Sequence, residues 1–132
     1  MSILLDTSFI LAFDNKKDVN NQKASTIWNK IAKMEYGYYF ISDHIFDEIA
    51  GVSLRKIGKE KAIVLCQKVI QSIPIITTDQ HIFQETWDFF KETKTNLSFT
   101  DCSNLVLVHL FDSKIATFDK EFKKIENMDI VD

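Results

Sequence analysis

Short apolar runs alternate along this chain with longer segments in which apolar residues recur every three or four positions. The short runs predict strands, and the 3-and-4 spacing predicts amphipathic helices. The predicted strands cover residues 3–5, 36–41, 72–77, 115–118 and 129–131. The predicted helices cover residues 7–13, 21–34, a segment capped by Ser42 that carries Glu48, 59–71, a segment from Asp79 to Phe90, one capped by Thr100 with its apolar body at 105–111, and 119–124. Because strands and helices alternate throughout, we predict an α/β fold with a mainly parallel sheet covered by helices on both faces.

The composition indicates what class of protein this is, but it does not indicate which reaction or ligand the protein has. A chain of 132 residues with three glycines and one proline has no evident linker or repeat, so we predict a single domain spanning residues 1–132. No run approaches the roughly 18 apolar residues of a membrane span, and no signal peptide is visible, so we expect a cytoplasmic protein without membrane contact. The two cysteines, Cys66 and Cys102, lack metal-site spacing and are expected to be reduced.

Charge argues against nonspecific coating of nucleic acid. The net charge is −3 and the isoelectric point is about 5.6, whereas such proteins carry a basic surface. Lysine-rich segments do occur at 55–61 and 120–124. They indicate either solvated helix faces or patches that steer phosphate groups.

Four acidic residues are expected to lie near the same edge of the predicted sheet. Asp6 and Asp119 each follow a short apolar strand, and the carboxyl ends of parallel strands meet at one edge of a sheet, where ligand crevices form. Glu48 lies beside the apolar stripe of its helix. Asp101 follows the predicted cap Thr100, where the helix dipole is expected to favour its ionised form. Any one of these acids is better explained as a cap or solvated charge, but the shared topology favours a common site.

Carboxylates gathered at one edge would repel one another unless a hard cation held them, and Mg²⁺ or Mn²⁺ prefers oxygen ligands. Short polar side chains near the acids are candidates for orienting them. Those we select are Thr117 foremost, with Ser8 and Asn104. The predicted site therefore combines Asp6, Glu48, Asp101 and Asp119 as metal ligands with these three polar residues around them.

Other chemistries have little support. The histidines have no paired ligand spacing, which argues against zinc; they are His44, His81 and His109. Glycine-rich nucleotide motifs and a nucleophile elbow are absent. A receiver-like phosphorylated Asp6 is disfavoured because Ser8 stands where a second acid would be needed. The aromatic residues at 9, 13, 83, 87 and 90 are assigned first to the core, with a partner-binding patch as the alternative.

These residues resemble the PIN domain, in particular the VapC-type toxin ribonucleases of toxin–antitoxin pairs. The likeness lies in the segment from Leu4 to Ser8, the helical Glu48, Thr100-Asp101 before an apolar helix, and the segment from Ala116 to Phe122. It implies a three-layer α/β/α sandwich, an endoribonuclease dependent on Mg²⁺ or Mn²⁺, and an RNA substrate. It further implies a homodimer and a cognate antitoxin that inserts a segment into the acidic groove.

One departure from the family pattern concerns the metal site. Many relatives carry another acid three or four residues beyond the position of Asp101, where this chain has Asn104 and Leu105. This puts a fully occupied second metal site in doubt. A PIN scaffold that is catalytically weak and acts by binding alone is therefore kept as the alternative function.

Overall fold

The computed structural model describes residues 1–132 and contains one five-stranded sheet in which every paired strand is parallel. The strands are β1 (Ser2–Leu5), β2 (Tyr38–Ser42), β3 (Ile75–Ile76), β4 (Lys114–Ala116) and β5 (Ile130–Val131). The helices are α1 (Thr7–Asp14), α2 (Asn21–Ala32), α3 (Asp43–Ile57), α4 (Lys59–Ser72), α5 (Gln80–Glu92) and α6 (Phe99–Phe111), with a 3₁₀ helix at Lys120–Lys124. The predicted α/β class and parallel sheet are confirmed.

Strand order explains which chain segments meet at one edge. The order is β3-β2-β1-β4-β5. The chain therefore adds β2 and β3 on one side of β1, and then adds β4 and β5 on the other side. The two central strands, β1 and β4, thus flank the point where the direction reverses. In open α/β sheets the crevice outside such a point is the usual ligand site.

The central strand is covered on both faces. Successive strand residues point to opposite faces, and Ile3, Leu4 and Leu5 are all fully buried. Helices α6 and α3 contact β1 and β2 respectively. This covering produces the layered arrangement expected of a parallel sheet.

Several element boundaries differ from the predicted ones. Helix α3 continues through Gly51 to Ile57, because a single glycine inside a packed helix costs only about 1 kcal/mol. The strand predicted at 72–77 is reduced to the edge strand β3. Helix α6 begins at Phe99 and is capped by Ser98, not by Thr100.

The aromatic residues of α5 are exposed, contrary to their assignment to the core. Phe83, Trp87 and Phe90 are 46%, 42% and 40% exposed, while Ile82 and Thr86 form the buried side of the helix. Trp87 and Phe90 stack on each other, and Phe83 and Phe90 each pack against Phe99. Helix α5 therefore turns its aromatic stripe outward.

No helix is long and apolar enough to cross a membrane. Both cysteines are free thiols, with Cys102 buried and Cys66 half-buried.

Candidate active site

Asp6 lies at the topological switch point between β1 and β4. Its backbone N–H donates to the carbonyl oxygen of Ala116 at 3.0 Å, which extends the β1–β4 pairing by one residue. Its own carbonyl accepts from Phe9 and Ile10 at the start of α1. The carboxylate makes no capping hydrogen bond to that helix. The backbone of Asp6 is therefore held by β4 and by α1, and its carboxylate is not used to cap that helix.

Three polar side chains from distant parts of the chain donate hydrogen bonds to the Asp6 carboxylate. Ser8 Oγ and Thr117 Oγ1 each donate to Oδ2 at 2.8 Å, and Asn104 Nδ2 donates to Oδ1 at 3.3 Å. Thr117 and Asn104 are themselves fully buried. The rotamer of Asp6 is therefore set by partners on α1, α6 and the segment after β4. These are the three residues that we selected from the sequence as orienting groups.

Burial raises the pKa of Asp6 from its ordinary value of 3.8 to about 6. The side chain is only 3% exposed, and removing a carboxylate from water disfavours its charged form. The hydroxyl groups of Thr117 and Ser8 lower the pKa, whereas the negative charges of Asp101 and Glu48 raise it further. No lysine, arginine or histidine forms an ion pair with Asp6. Asp6 is thus a buried negative charge without a positive protein partner.

Thr117 links Asp6 to Asp119. Its hydroxyl donates to Asp6 and accepts the backbone N–H of Asp119 at 3.0 Å. Ser8 makes a parallel connection, since its Oγ accepts the N–H of Phe118 at 3.0 Å. The segment that follows β4 is thereby fastened to the start of α1 through two hydroxyl groups.

Asp101 takes part in a reciprocal cap at the start of α6. Its N–H donates to Ser98 Oγ at 3.1 Å, and its Oδ2 accepts the N–H of Ser98 at 3.2 Å. Burial nevertheless raises the pKa of Asp101, and the charges of Asp119 and Glu121 act in the same direction. The hydrogen bonds to Ser98 favour the ionised form, as expected at a helix start, but burial outweighs them, so the pKa of Asp101 lies above its ordinary value.

Glu48 and Asp119 lie near the same edge in different roles. Glu48 is half-buried on α3, and its charge is felt by Asp6. Asp119 is half-buried at the start of the 3₁₀ helix, where its Oδ1 accepts the N–H of Glu121 at 3.0 Å. Glu121 is an acid that the sequence reading missed. Its position two residues after Asp119 could have identified it, because Asp119 accepts the N–H of Glu121 and so keeps the two residues close together.

The carboxylates share an edge, but they do not form a compact cluster. No group of three or more histidine, cysteine, aspartate or glutamate side chains is close enough together to hold a metal ion as they stand. The four predicted ligands nevertheless act on one another electrostatically, since the charges of Asp101 and Glu48 raise the pKa of Asp6 and that of Asp119 raises the pKa of Asp101.

The polar atoms around Asp6 nevertheless suit a hard divalent cation. Asn104 Oδ1 is buried and has no hydrogen-bond partner, and an unsatisfied buried acceptor costs about 1–3 kcal/mol. The buried Asp6 carboxylate also lacks a compensating positive charge. Oxygen donors of this kind match the preference of Mg²⁺ and Mn²⁺. The residues present therefore fit a divalent ion at Asp6.

Comparison with known proteins gives a consistent picture of the fold. The family model described as the PIN domain matches residues 3–128. The VapC20 toxin of Mycobacterium tuberculosis, which cleaves the sarcin–ricin loop, superposes with a TM-score of 0.81 at 18% identity, over 92% of this chain and 93% of that one. VapBC2 from Rickettsia felis, bound to promoter DNA, gives 0.77 at 15% identity, over 99% and 98%. VapBC-1 from nontypeable Haemophilus influenzae gives 0.75 at 14% identity, over 100% and 98%. No curated protein sequence matches this chain.

Proposed function

This chain belongs to the PIN domain family, and from that premise we propose that it is a divalent-metal-dependent endoribonuclease acting as the toxin of a toxin–antitoxin pair. The observation that carries the proposal is the buried Asp6 carboxylate at the β1–β4 switch point. It has three hydrogen-bond donors and no cationic partner, which suits a group that binds a metal ion. Since the proposed substrate is RNA, the compartment we propose is the cytoplasm.

In this proposal Asp6, Glu48, Asp101 and Asp119 supply the ligands of Mg²⁺ or Mn²⁺ and are the catalytic residues. A bound divalent ion lowers the pKa of a coordinated water and offsets the charge that develops on phosphoryl oxygens. The raised pKa values of Asp6 and Asp101 support the assignment, because perturbed acids in a crevice are typical of functional sites. Full ionisation of both acids is favoured when positive charge is bound beside them.

The surrounding polar residues keep Asp6 in place during the reaction. Thr117, Ser8 and Asn104 are positioning residues, since each donates to the carboxylate and none of them is charged. Such partners restrict the ligand rotamer and reduce the entropy lost when an ion binds. Lys120 is exposed next to Asp119 and can neutralise a flanking phosphate of the RNA.

We also propose an antitoxin partner and a homodimer. VapBC-1, VapBC2 and VapBC from Salmonella typhimurium, which share this fold, are toxin–antitoxin complexes and support the antitoxin partner. The outward aromatic stripe of Phe83, Trp87 and Phe90 supports association with another protein surface, because contiguous exposed aromatic side chains are typical of interfaces. A segment of the antitoxin that enters the acidic crevice would block access to Asp6.

The proposal is tested by RNA cleavage. Structured and single-stranded RNAs are incubated with Mg²⁺ or Mn²⁺ and with the wild type, Asp6→Asn, Asp101→Asn or Asp79→Asn. Asp79 is a helix cap on α5 that asparagine can replace, so it serves as a matched control. We expect the first two variants to lose cleavage and the control to retain it. Equal activity in all four proteins would refute the assignment.

The second candidate function is a PIN scaffold that acts by binding alone. It is favoured by one observation, that a neutral amide group, that of Asn104, and not a further acid contacts the buried Asp6 carboxylate. Expression of Asp6→Asn and Asp101→Asn in growing cells separates the two candidates. Growth arrest that persists in both variants would support the binding scaffold, whereas growth restored by both would support the nuclease.

A further inference from the structure

Asn104 is a fully buried residue near the start of α6, and one of the two polar atoms of its amide has no hydrogen-bond partner. Its Nδ2 donates to Oδ1 of Asp6 at 3.3 Å, whereas its own Oδ1 accepts no hydrogen bond. Because an ionised carboxylate can only accept hydrogen bonds, the amide turns its nitrogen toward Asp6. The contact with Asp6 therefore leaves the oxygen of Asn104 buried without a partner.

The other two buried side-chain atoms without a partner are hydroxyl oxygens. They belong to Thr7 and Ser103, and a hydroxyl group can rotate its hydrogen toward a nearby acceptor. The amide of Asn104 lacks this freedom, since the hydrogen bond from Nδ2 to Asp6 fixes its orientation. A buried acceptor without a partner is costly to maintain. The oxygen of Asn104 therefore indicates a partner that comes from outside the chain.

The surroundings of Asn104 are negatively charged. It lies three residues after Asp101 on α6, and positions three apart lie on the same side of a helix. Asp6, which the amide contacts, is only 3% exposed and forms no ion pair with a lysine, arginine or histidine. The charge of Glu48 also acts on Asp6. A cation is therefore a more favourable external partner for Asn104 Oδ1 than a neutral donor is.

We propose that Asn104 Oδ1 is a further ligand of the divalent ion bound at Asp6. This inference rests on the proposed function and adds a neutral ligand to the four acids. Side-chain amide oxygens bind hard cations, and an octahedral Mg²⁺ holds two ligand oxygens about 3 to 4 Å apart, since each lies about 2.1 Å from the ion. The distance of 3.3 Å between the amide nitrogen and the carboxylate places the two groups close enough to share one ion.

An amide suits position 104 better than a carboxylate does when no ion is bound. An aspartate there would place a second negative charge against Asp6, and each carboxylate would disfavour ionisation of the other. The amide avoids this repulsion, because its nitrogen donates to Asp6 while its oxygen stays available. Asn104 therefore stabilises Asp6 in the metal-free protein and contributes a ligand atom in the metal-bound protein.

The proposal is tested by titrating the full-length protein with Mn²⁺ in the absence of RNA and measuring unbound Mn²⁺ by electron paramagnetic resonance. Asn104→Leu is similar in shape but has no ligand oxygen, so its Kd for Mn²⁺ should rise by about tenfold or more. Ser103→Ala removes the neighbouring buried hydroxyl on the same helix and serves as the matched control. The control should bind Mn²⁺ as the wild type does. A wild-type Kd in Asn104→Leu would overturn the proposal.

Asn104→Asp distinguishes a metal ligand from a residue that only positions Asp6. A ligand role predicts a lower Kd than in the wild type, because the variant supplies a charged oxygen in place of a neutral one. A positioning role predicts a higher Kd, because the variant loses the N–H group that holds Asp6. Thr100→Asp adds the same charge on the same helix without contacting Asp6. If it lowers the Kd as much as Asn104→Asp does, the effect is one of overall charge and the assignment is wrong.

Thermal unfolding in EDTA and in Mn²⁺ provides a second readout. An ion that binds only the folded state raises Tm, and weaker binding reduces this rise. The rise in Tm should be smaller in Asn104→Leu than in the wild type and unchanged in Ser103→Ala. A purely structural role of Asn104 would instead lower Tm by the same amount in both solutions, which would contradict the proposal.

The same measurements separate this inference from the proposed nuclease function. None of them depends on RNA cleavage. Mn²⁺ binding by the wild type that is lost in Asp6→Asn but unchanged in Asn104→Leu would overturn the role of Asn104 alone. A wild type that binds no Mn²⁺ would overturn metal dependence itself, and the role of Asn104 with it.

Discussion

Replacing Asp6 with asparagine should stabilise the metal-free protein at neutral pH. The substitution keeps the shape of the side chain and removes its buried negative charge. Ser8 and Thr117 can still donate to the remaining oxygen. The amide of Asn104 can rotate so that its Oδ1, which has no partner in the wild type, accepts from the new NH₂ group. The variant therefore avoids the free-energy cost of a buried negative charge and keeps its hydrogen-bond partners.

The size of the effect follows from the pKa of Asp6, which is raised from 3.8 to about 6 by burial. Between these two values the unfolded chain releases its proton while the folded chain retains it, so stability falls as pH rises. Below 3.8 both states are protonated and no penalty exists. The penalty is about 1 kcal/mol at pH 4.5 and reaches about 3 kcal/mol at pH 7.5, at 1.36 kcal/mol per pKa unit. The advantage of asparagine should thus grow by about 2 kcal/mol over this interval.

Urea denaturation in EDTA at pH 4.5 and pH 7.5 measures this difference. The free energies of unfolding of the wild type and Asp6→Asn are compared at each pH, with Asp79→Asn as the control at an exposed helix cap. The control should differ from the wild type by the same amount at both values. A difference between wild type and Asp6→Asn that does not change with pH would refute the reasoning that burial leaves Asp6 uncompensated.

Three further predictions concern single contacts. Thr117→Val should lower RNA cleavage by about tenfold or more and the free energy of unfolding by about 1–3 kcal/mol, because it removes a buried hydroxyl that donates to Asp6 and accepts from Asp119. Thr117→Ser keeps the hydroxyl and should therefore retain both cleavage and stability. Ser98→Ala should lower the free energy of unfolding in urea by about 1 kcal/mol, and Thr100→Ala should change it little, since Ser98 caps α6. Gly37→Ala should be more destabilising in urea than Gly58→Ala. Both have positive φ, +78° and +84°, but only at Gly37 would a β-carbon overlap a backbone oxygen, that of Met1. Gly58→Ala should cost about 1–3 kcal/mol from strain alone, and equal costs for the two would contradict the clash.

The starts of α5 and α6 show how much of the structure can be predicted from the local sequence. The predicted segment of α5 starts at Asp79, and Asp79 is the cap of this helix, because its Oδ1 accepts the N–H of Ile82. At α6 the predicted cap Thr100 is wrong, because Ser98 is the cap. Both residues carry a hydroxyl group, but only Ser98 is followed three positions later by an acid, Asp101, that bonds back to its N–H. The local sequence therefore contained the signal for the correct cap.

The sequence by itself determined the succession of strands and helices and the placement of Asp6 at the end of a buried strand. These properties depend on neighbouring residues, since an apolar run followed by a polar residue at a helix start is local information. It also identified Ser8, Asn104 and Thr117 as polar groups near the acids in the chain. The family resemblance drawn from the same segments was confirmed.

Only the tertiary structure decided how these residues interact. The hydrogen bonds from Asn104 and Thr117 to Asp6 join residues 98 and 111 positions apart, and they exist because β4 returns to the side of β1 opposite β2. The raised pKa values of Asp6 and Asp101 and the outward aromatic face of α5 likewise depend on burial. Burial is a property of the assembled layers, because water is excluded by residues distant in the chain and not by immediate neighbours.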